Sequence, residues 1–371
     1  MGRFKSLEHK FKGLVFEIFK VFLKKGRDGF TVLDGKSIQK VLFIRPEKIG
    51  DMVVSLPVFD ELLRRYPHIY IGILCSPRSY EIIRHDPRFD RVFLYRKNIV
   101  RDLLELLAIR RDMYDCVVDM VDDDSLTGLV LSQLSVAESP RIGSGKKQYA
   151  RHYDYVSSHR DRNITHSIDR ALCLLDAFGV DGRNADRYAQ PHVGDEEFRR
   201  ADSFLISTAV PGASGMAVGF NLSAGKTTRQ WAGEKSRELI TSILDYFPES
   251  RVILITAPSD RPRGEELERL FDQRVVQVPP ELSITEVSAI ISRIDLLITP
   301  DTSLVHIARS FKVPVVGMYP RPQWNLERWR PYGQQSGVVL SNNDDHIFDI
   351  TSARVFAEVR KVVEQQGVGQ T

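Results

Sequence analysis

The sequence predicts an α/β fold built from two doubly wound parallel sheets. Short apolar, β-rich segments alternate with segments of helical periodicity in both halves of the chain, as in parallel sheets covered by helices. The length of 371 residues exceeds the roughly 250–300 residues at which a single core stops growing, which predicts two domains. We place them at residues 38–185 and 196–345. An N-terminal helix at 1–28 precedes them, and a C-terminal helix and tail at 346–371 follow.

The composition is that of an ordinary globular protein, with 42% hydrophobic and 27% charged residues. No uninterrupted apolar run approaches the ~20 residues that span a bilayer, so we expect no membrane span. A net charge of +3 is too small to predict nucleic-acid binding. Cys75, Cys116 and Cys173 lie among apolar residues without metal-ligand spacing. They are predicted to be buried reduced thiols, which indicates a reducing compartment.

Residues 1–28 place phenylalanine, leucine and valine at helical spacing, with lysines at many of the remaining positions. The pattern predicts a basic amphipathic helix. Such a helix suits an anionic membrane surface, and it equally suits packing on the protein's own flank. Charges interrupt the apolar stretch, so the segment is not a signal peptide.

The first half opens with a strand at 41–44, a loop at 45–50 and a helix from Asp51 to Tyr66. Further strands are predicted at 70–75, 91–95 and 115–120, and further helices at 80–85, 99–111 and 167–179. Ligands of open parallel sheets bind beyond the carboxyl ends of strands, which places Asp51 at the edge of a potential site. The same residue suits a simple helix N-cap, and this segment alone favours the cap. Residues 122–124, three aspartates, are interpreted as a solvated acidic turn.

Residues 139–166 are basic and show little apolar periodicity, which predicts a long loop. A loop of this kind suits an acceptor that carries phosphates or carboxylates, and a merely solvated basic loop is the alternative. The candidate acceptor-binding residues in and beside it are Arg141, Lys146, Lys147, Arg151 and His166.

The second half restarts the alternation after a polar linker at 180–195. Strands are predicted at 216–222, 251–257, 275–278, 295–300 and 313–319, and helices at 196–205, 233–246, 264–272 and 283–293. Between the first of these strands and the helix at 233 lie Ser223, Lys226 and Arg229, in a loop of small, hydroxyl and cationic residues. Backbone N–H groups and two cations suit a diphosphate there. The spacing fits neither a P-loop nor a dinucleotide fingerprint.

A strand also delivers Asp301 and Thr302 to its carboxyl end, followed by Ser303 and, one helical turn beyond Thr302, His306. Hydroxyl, amide and imidazole groups would then meet at one ligand. The alternative is structural, with Asp301 or Thr302 as an N-cap and His306 on the core side of a short helix. Capping alone does not require a histidine at position 306, so the sequence favours the ligand-binding interpretation over the structural one.

Three of these segments resemble motifs of glycosyltransferase family 9, the lipopolysaccharide heptosyltransferases that use ADP-heptose. The resemblance covers about residues 40–345. Its motifs are Arg45 with Gly50-Asp51 and Leu56-Pro57, then Arg229 with Trp231 at the end of the small-residue loop, and then Asp301-Thr302-Ser303 with His306. Ser303 departs from the family, which usually has glycine at this position. The motifs are specific for the family but not for the donor sugar.

The resemblance implies a GT-B fold, in which two Rossmann-like domains face each other across a cleft. It implies an inverting, metal-independent transfer from a nucleotide sugar on the second domain to an acceptor on the first, without a cofactor. Asp51 is then the candidate base, and Arg229, Lys226, Thr302 and Ser303 are candidates to stabilise the departing diphosphate. The other candidate roles are donor binding by Ser223, Asp301 and His306, ribose binding by Asp260, and acceptor binding or orientation of Asp51 by Arg45 with Gly50.

The resulting hypothesis is a heptosyltransferase-like enzyme acting on an anionic, lipid-linked glycan at the cytoplasmic face of the inner membrane. Residues 1–28 would supply a peripheral membrane contact. Two alternatives stay open at this point. One is the same fold with another nucleotide sugar in capsule or O-antigen assembly, and the other is a sugar-nucleotide-binding protein without transfer activity. A Rossmann oxidoreductase is disfavoured because neither half shows Gly-x-Gly-x-x-Gly after its first strand.

Overall fold

The computed structural model describes residues 23–27, 29–30, 32–122, 124–136, 138–209 and 215–366. Residues 1–22 of the predicted basic helix lie outside this part of the chain, and that helix stays a prediction. Residues 23–27 are not helical. They run beside the first sheet, where Gly26 N donates to the Arg151 carbonyl at 2.9 Å and Lys24 N donates to the Gln133 side chain at 3.2 Å.

The first sheet, within the described residues, has six parallel strands. They are β1 (Lys40–Arg45), β2 (Tyr70–Cys75), β3 (Arg91–Leu94), β4 (Cys116–Asp119), β5 (Arg141–Gly143) and β6 (Tyr155–Val156). Their order across the sheet is β3-β2-β1-β4-β5-β6. Val41 and Phe43 of β1 pack into one apolar cluster, and Leu42 and Ile44 pack into another. Because successive side chains of a strand point to opposite faces, both faces of this sheet are buried.

The second sheet has six parallel strands in the described part of the chain. They are β7 (Ala217–Asn221), β8 (Arg251–Ile255), β9 (Val275–Gln277), β10 (Leu296–Pro300), β11 (Val315–Tyr319) and β12 (Val338–Leu340). The order is β12-β11-β10-β7-β8-β9. Numbered within its own half, each sheet therefore has the order 3-2-1-4-5-6, the doubly wound arrangement predicted from the sequence. The order in which strands are added to the sheet reverses between β1 and β4 and between β7 and β10. Ligands of such sheets bind at these switch points, beyond the carboxyl ends of the strands.

Helices cover these sheets and join their strands. In the first half they are α1 (Ile49–Val53), α2 (Leu56–Arg65), α3 (Pro77–Ile83), α4 (Ile99–Asp112), α5 (Leu126–Ser135) and α6 (Ser167–Leu172). In the second half they are α7 (Asp195–Ser207), α8 (Gly233–Tyr246), α9 (Arg261–Leu270), α10 (Ile284–Ile291), α11 (Ser303–Ser310), α12 (Gln323–Trp329) and α13 (Ser352–Gln366). No helix within the described residues combines the length and the apolar content needed to cross a bilayer.

The helix predicted from Asp51 to Tyr66 is two helices. Proline has no N–H, and within a helix its ring clashes with the carbonyl four residues earlier, so Pro57 cannot continue a helix that contains Val53. The chain turns at Val54 and Ser55 instead, and the Ser55 hydroxyl donates to the Asp51 carbonyl at 2.8 Å. The first helix also starts two residues earlier than predicted. Asp51 is consequently the third residue of α1 rather than its N-cap.

The predicted long loop at 139–166 is wrong, because this segment contributes β5 and β6 to the first sheet. These strands have three and two residues, too few for apolar alternation to be visible in the sequence. The sequence analysis also missed α5, α12 and β12. The three cysteines are buried and free, as predicted.

The two halves contact each other through short helices. Helix α1 packs against α11, and α3 packs against α10. One cluster of buried apolar side chains extends from Val53 and Ile82 in the first half to Ile290 and Val305 in the second. The loop after β1 is therefore held directly against the helix that follows β10.

Candidate active site

A buried arginine organises the loop after β1. The side chain of Arg45 is 5% exposed. Its Nε donates to the Asp51 carbonyl at 3.1 Å, and Nη1 donates to the Met120 carbonyl, just beyond β4, at 2.5 Å. Burial alone lowers the pKa of Arg45, but the carboxylates of Glu47 and Asp51 outweigh it and raise the pKa, so the guanidinium stays charged. This burial favours orientation of Asp51 over direct acceptor contact as the role of Arg45.

Asp51 lies where α1 begins. Its Oδ2 accepts a hydrogen bond from the backbone N–H of Lys48 at 3.1 Å, and its Oδ1 lies 3.8 Å from Nη2 of Arg45. The side chain is 16% exposed. The carboxylate thus stabilises the start of its own helix from the third position, and it remains partly exposed. The capping and ligand-facing interpretations of this residue are compatible.

A second carboxylate, Glu47, was missed by the sequence analysis. Its Oε2 lies 2.5 Å from Nη1 of Arg45, and its side chain is 31% exposed. Burial raises the pKa of Glu47 to about 7, and the like charge of Asp51 adds to this while Arg45 opposes it. One guanidinium therefore lies between two carboxylates. The sequence does show Glu47 as a second acidic residue in this loop, four positions before Asp51, and this spacing could have indicated a second candidate carboxylate.

Arg229 and Asp301 form an ion pair at the corresponding edge of the second sheet. Nη1 of Arg229 lies 2.8 Å from Oδ2 of Asp301 and donates to the Asp301 carbonyl at 3.1 Å. Asn325 Nδ2 also donates to Oδ2 of Asp301, at 3.0 Å. The Arg229 side chain is 23% exposed, so it is held in place by Asp301 while part of it faces solvent. Asn325 was not foreseen because α12, which carries it, was missed.

Thr302 and Ser223 form hydrogen bonds that stabilise the loops after β10 and β7. The hydroxyl of Thr302 accepts from Asn221 Nδ2 at 3.3 Å and from the Leu304 N–H at 3.4 Å, so Thr302 is the N-cap of α11. The hydroxyl of Ser223 accepts from the Ala257 N–H at 2.8 Å, which joins the loop after β7 to the loop after β8. Ser223 follows β7 and Thr302 follows β10, as predicted, and the strand order places both loops at the switch point of the second sheet. Both side chains already form hydrogen bonds within the loops that carry them.

Two further donor candidates, Lys226 and Asp260, differ in exposure. Lys226 is exposed beside this loop. Asp260 is buried, and its Oδ1 accepts from Gln230 Nε2 at 3.2 Å and lies 3.9 Å from Nη1 of Arg263. Lys226 is therefore accessible to a ligand, whereas Asp260 is already paired within the domain.

The first and third sequence motifs meet at Gly50. A Cβ atom added at Gly50 would lie 3.2 Å from Cδ2 of His306 and 3.4 Å from Cα of Ser303. Glycine permits this close approach of α1 to α11. His306 is buried, with its ring 5.5 Å from that of Trp329, and burial lowers the pKa of His306 to about 3. The imidazole is therefore neutral near pH 7 and belongs to the contact between the two halves.

The basic residues of the predicted acceptor loop divide into two groups. Arg141 is buried, and its guanidinium donates to the carbonyls of His152 and Lys25 at 3.0 Å each. Lys146 is buried as well, with Nζ 2.9 Å from Asp119 Oδ2. The structure does not bring these two residues to an accessible surface, because they satisfy groups inside the first domain. Lys147 and Arg151 are exposed.

His166 and Asp122 connect the two halves. Nε2 of His166 lies 3.1 Å from the Arg330 carbonyl. Oδ2 of Asp122 lies 2.8 Å from Nη2 of Arg170 in the first half and 2.7 Å from Nη2 of Arg328 in the second. The interpretation of Asp122 as part of a solvated acidic turn is wrong, because two arginines surround its carboxylate. His166 likewise takes part in the contact between the two halves and does not lie in an open acceptor-binding loop.

The chain is similar to known proteins over most of its length. The profile described as glycosyltransferase family 9 (heptosyltransferase) matches residues 106–354. A lipopolysaccharide core heptosyltransferase, OpsX, of Haemophilus influenzae is 20% identical over 306 residues, which are 81% of this chain and 84% of OpsX.

Two solved structures share the fold. The family 9 glycosyltransferase of Veillonella parvula superposes with a TM-score of 0.74 at 17% identity, over 90% of this chain and 99% of the other. The ADP-heptose lipopolysaccharide heptosyltransferase II of Escherichia coli superposes with a TM-score of 0.66 at 18% identity, over 89% and 100%. The predicted GT-B fold is confirmed. The chain belongs to glycosyltransferase family 9 and is a glycosyltransferase.

Proposed function

We propose that this enzyme transfers a heptose, with inversion and without a metal, from a nucleotide-diphosphate sugar to a lipid-linked anionic glycan similar to the lipopolysaccharide core. ADP-heptose is the first candidate donor, since related proteins are named for lipopolysaccharide heptose transfer and for ADP-heptose. One observation carries the proposal. Gly50 approaches Ser303 and His306, so the helix that carries Asp51 packs against the helix that follows Asp301.

Asp51 acts as the general base in this proposal. It accepts the proton of the acceptor hydroxyl as the hydroxyl oxygen attacks the anomeric carbon of the donor. Attack comes from the face opposite the diphosphate, so the new glycosidic bond forms while the bond to the diphosphate oxygen breaks. The electron pair of that bond leaves with the nucleoside diphosphate. A single displacement of this kind inverts the anomeric centre, and Asp51 returns its proton to water.

Arg229 and Lys226 stabilise the departing diphosphate. Arg229 is fixed by its 2.8 Å ion pair with Asp301, and a fixed cation needs no reorganisation as negative charge develops. The N-terminal end of α11, capped by Thr302, adds backbone N–H groups with a favourable dipole. Ser303, where the family usually has glycine, places a hydroxymethyl group at this end and is expected to influence which sugar fits.

Replacement of Asp51 by Asn tests the base directly. We expect turnover to fall by about 10²- to 10⁴-fold, the usual contribution of a general base, while the dissociation constant of the donor stays within a few-fold. Asp195→Asn is a matched control, because Asp195 also lies in the first turn of a helix and is exposed. Unchanged turnover in the Asp51 variant would remove this residue as the base.

The identity of the donor is tested by ligand-dependent thermal stability. A ligand that binds only the folded chain raises its melting temperature. We expect ADP-heptose to give a larger shift than GDP- or UDP-sugars at equal concentration. A larger shift with another nucleotide sugar would instead support the capsule or O-antigen alternative. Donor binding without detectable transfer to any lipid-linked acceptor would support a binding protein.

We also propose that the enzyme works at the cytoplasmic face of the inner membrane, with residues 1–28 as a peripheral contact. The basic and aromatic composition of that segment supports the proposal. Flotation with anionic vesicles compares the full chain with a chain lacking residues 1–28. Equal flotation of the two would contradict the membrane role.

A further inference from the structure

Helix α4 presents an apolar face to solvent. Five aliphatic side chains on its outer surface are 44–87% exposed, and they are Ile99, Val100, Leu103, Leu104 and Leu107. With about 3.6 residues per turn, these positions share one side of the helix. Leu106 and Ile109 lie on another side and pack into the apolar cluster beneath. Single exposed leucines are ordinary in globular proteins, whereas a contiguous group of five marks an interaction surface.

The acidic residues of α4 bind groups of the first domain. Oδ1 of Asp102 accepts from the Arg96 N–H at 2.8 Å. Oε1 of Glu105 lies 2.8 Å from Nη1 of Arg96, and Oδ1 of Asp112 lies 2.9 Å from Nη1 of Arg91. A surface helix ordinarily turns its charged side to water and its apolar side to the core. Helix α4 instead keeps its carboxylates half-buried and exposes its aliphatic side chains.

Cations border this apolar face. Lys97, Arg101 and Arg111 are exposed, and within the part of the chain that the structure describes they form no ion pair. Aliphatic side chains bordered by lysine and arginine fit the interface of an anionic bilayer, where the former enter the acyl boundary and the latter meet lipid phosphates. A second copy of the chain fits less well, because two such faces would bring like charges together.

The position of α4 leaves the contact between the two halves free. Leu42 and Ile44 of β1 point toward the sheet face that α4 covers. Helices α1 and α3, which contact the second half, contribute Met52 and Ile82 to the cluster on the opposite face. A bilayer lying against α4 therefore does not compete with the second domain.

The same position relates α4 to the candidate site and to the N-terminal segment. Helix α4 begins beyond the carboxyl end of β3, at the edge of the parallel sheet where Asp51 follows β1. Residues 23–27 run beside α5, and α5 packs against α4, where Arg110 Nε donates to the Leu134 carbonyl at 2.8 Å. The segment 1–22 thus joins the described chain one helix away from the exposed face.

We propose that the exposed face of α4 docks on an anionic lipid bilayer, with its aliphatic side chains inserted and Lys97, Arg101 and Arg111 at the headgroups. This contact is additional to the one proposed for residues 1–28, and it rests on the proposed function for the lipid-linked acceptor. Two separate contacts fix the orientation of the first domain on the membrane. The edge that carries Asp51 then lies beside the surface from which the acceptor projects.

Vesicle binding by the full chain tests the surface without donor or acceptor. The probes are vesicles of phosphatidylethanolamine with phosphatidylglycerol, and neutral phosphatidylcholine vesicles for comparison. Changing Leu103→Gln and Leu104→Gln together should lower the partition coefficient by about tenfold for each leucine. Arg101→Gln and Arg111→Gln should each lower it by about fivefold on the anionic vesicles alone.

The matched control changes Ile206→Gln and Leu270→Gln. These side chains are also exposed and aliphatic, and they lie on α7 and α9 of the second half. We expect vesicle binding of this control to equal that of the unaltered chain. Equal weakening by the two pairs of changes would refute the location of the surface.

Fluorescence quenching locates the contact independently of affinity. In the Leu104→Trp variant, the added indole should be quenched by lipids with brominated acyl chains, in excess of the quenching of the unaltered chain. The Ile206→Trp variant should show no excess. Absence of excess quenching in the Leu104→Trp variant would overturn the proposal, even if the chain binds vesicles through residues 1–28.

Two other outcomes would also overturn it. If the chain sediments as a dimer that the Leu103 and Leu104 changes dissociate, while vesicle binding is unaltered, this face binds a second copy. If only deletion of residues 1–28 lowers vesicle binding, the N-terminal segment is the sole membrane contact. The proposed function fails separately. Transfer to a detergent-solubilised acceptor with no vesicle binding by α4 would leave the function intact, and vesicle binding without any transfer would do the reverse.

Discussion

Gly50→Ala probes the contact between the two sequence motifs most directly. The new methyl group would lie 3.2 Å from His306 Cδ2 and 3.4 Å from Ser303 Cα. The distance to His306 is shorter than most carbon contacts, whereas the distance to Ser303 is an ordinary van der Waals contact. The His306 ring on α11 and the backbone of α1 must therefore separate by a few tenths of an ångström. The helix itself gains up to about 1 kcal/mol, because alanine is the better helix former. We therefore expect the free energy of unfolding to hold or rise while the active site opens slightly.

The expected loss of activity follows from that displacement. A misplacement of about 1 Å costs on the order of 10²-fold in rate, so a few tenths of an ångström corresponds to about four- to tenfold in kcat/KM. Steady-state transfer assays and urea unfolding measure the two effects separately. Gly233→Ala is the control, since a Cβ there meets nothing within 4 Å. If Gly50→Ala leaves kcat/KM unchanged, or if it lowers activity only in proportion to lost stability, the reasoning about the domain contact is wrong.

Three further predictions concern single ionisable groups. Arg229→Ala should weaken donor binding by about 10- to 100-fold in a calorimetric titration, because it removes the fixed cation proposed for the diphosphate; an unaffected dissociation constant would contradict the phosphate role. Glu47→Gln should remove an ionisation near pH 7 from the profile of kcat/KM, because burial raises the pKa of Glu47 to about 7; persistence of that ionisation would assign it elsewhere. Burial lowers the pKa of His306 to about 3, so below about pH 6.5 the unfolded chain binds a proton that the folded chain does not, and the free energy of unfolding falls by up to ~1.4 kcal/mol per pH unit. His306→Phe should flatten this dependence in urea unfolding between pH 7 and pH 5, and equal slopes for the two proteins would count against it.

The sequence was sufficient to predict the fold, because long buried strands carry a clear apolar signal. The strands that centre each sheet, β1 and β10, are almost entirely apolar and were located within a residue or two. Strands β5, β6 and β12 are two or three residues long, and periodicity cannot be recognised over such a length. Pro57 was a sequence signal for a helix break. The helical spacing of apolar residues on both sides of it nevertheless led to the prediction of one continuous helix.

The candidate site was predicted less completely, because charge in a sequence does not reveal burial. Arg141 and Lys146 have the composition of acceptor-binding residues, and the structure uses them inside the first domain. The sequence also cannot show that Asp122 meets arginines from both halves, since Arg328 follows it by more than two hundred positions. Asn325, which donates to Asp301, was missed because the sequence analysis did not identify α12, the helix that carries it.

The repeated strand order has a consequence for how specificity can change. In each half, the groups proposed to act on a substrate follow the first or fourth strand of that half, where the order of the sheet reverses. In the proposed reaction, the loop after β1 serves the acceptor, and the loops after β7 and β10 serve the donor. Each substrate is therefore bound by its own set of loops, and the two sets belong to different sheets. Acceptor and donor preference can diverge independently, provided that the glycine contact between α1 and α11 is kept.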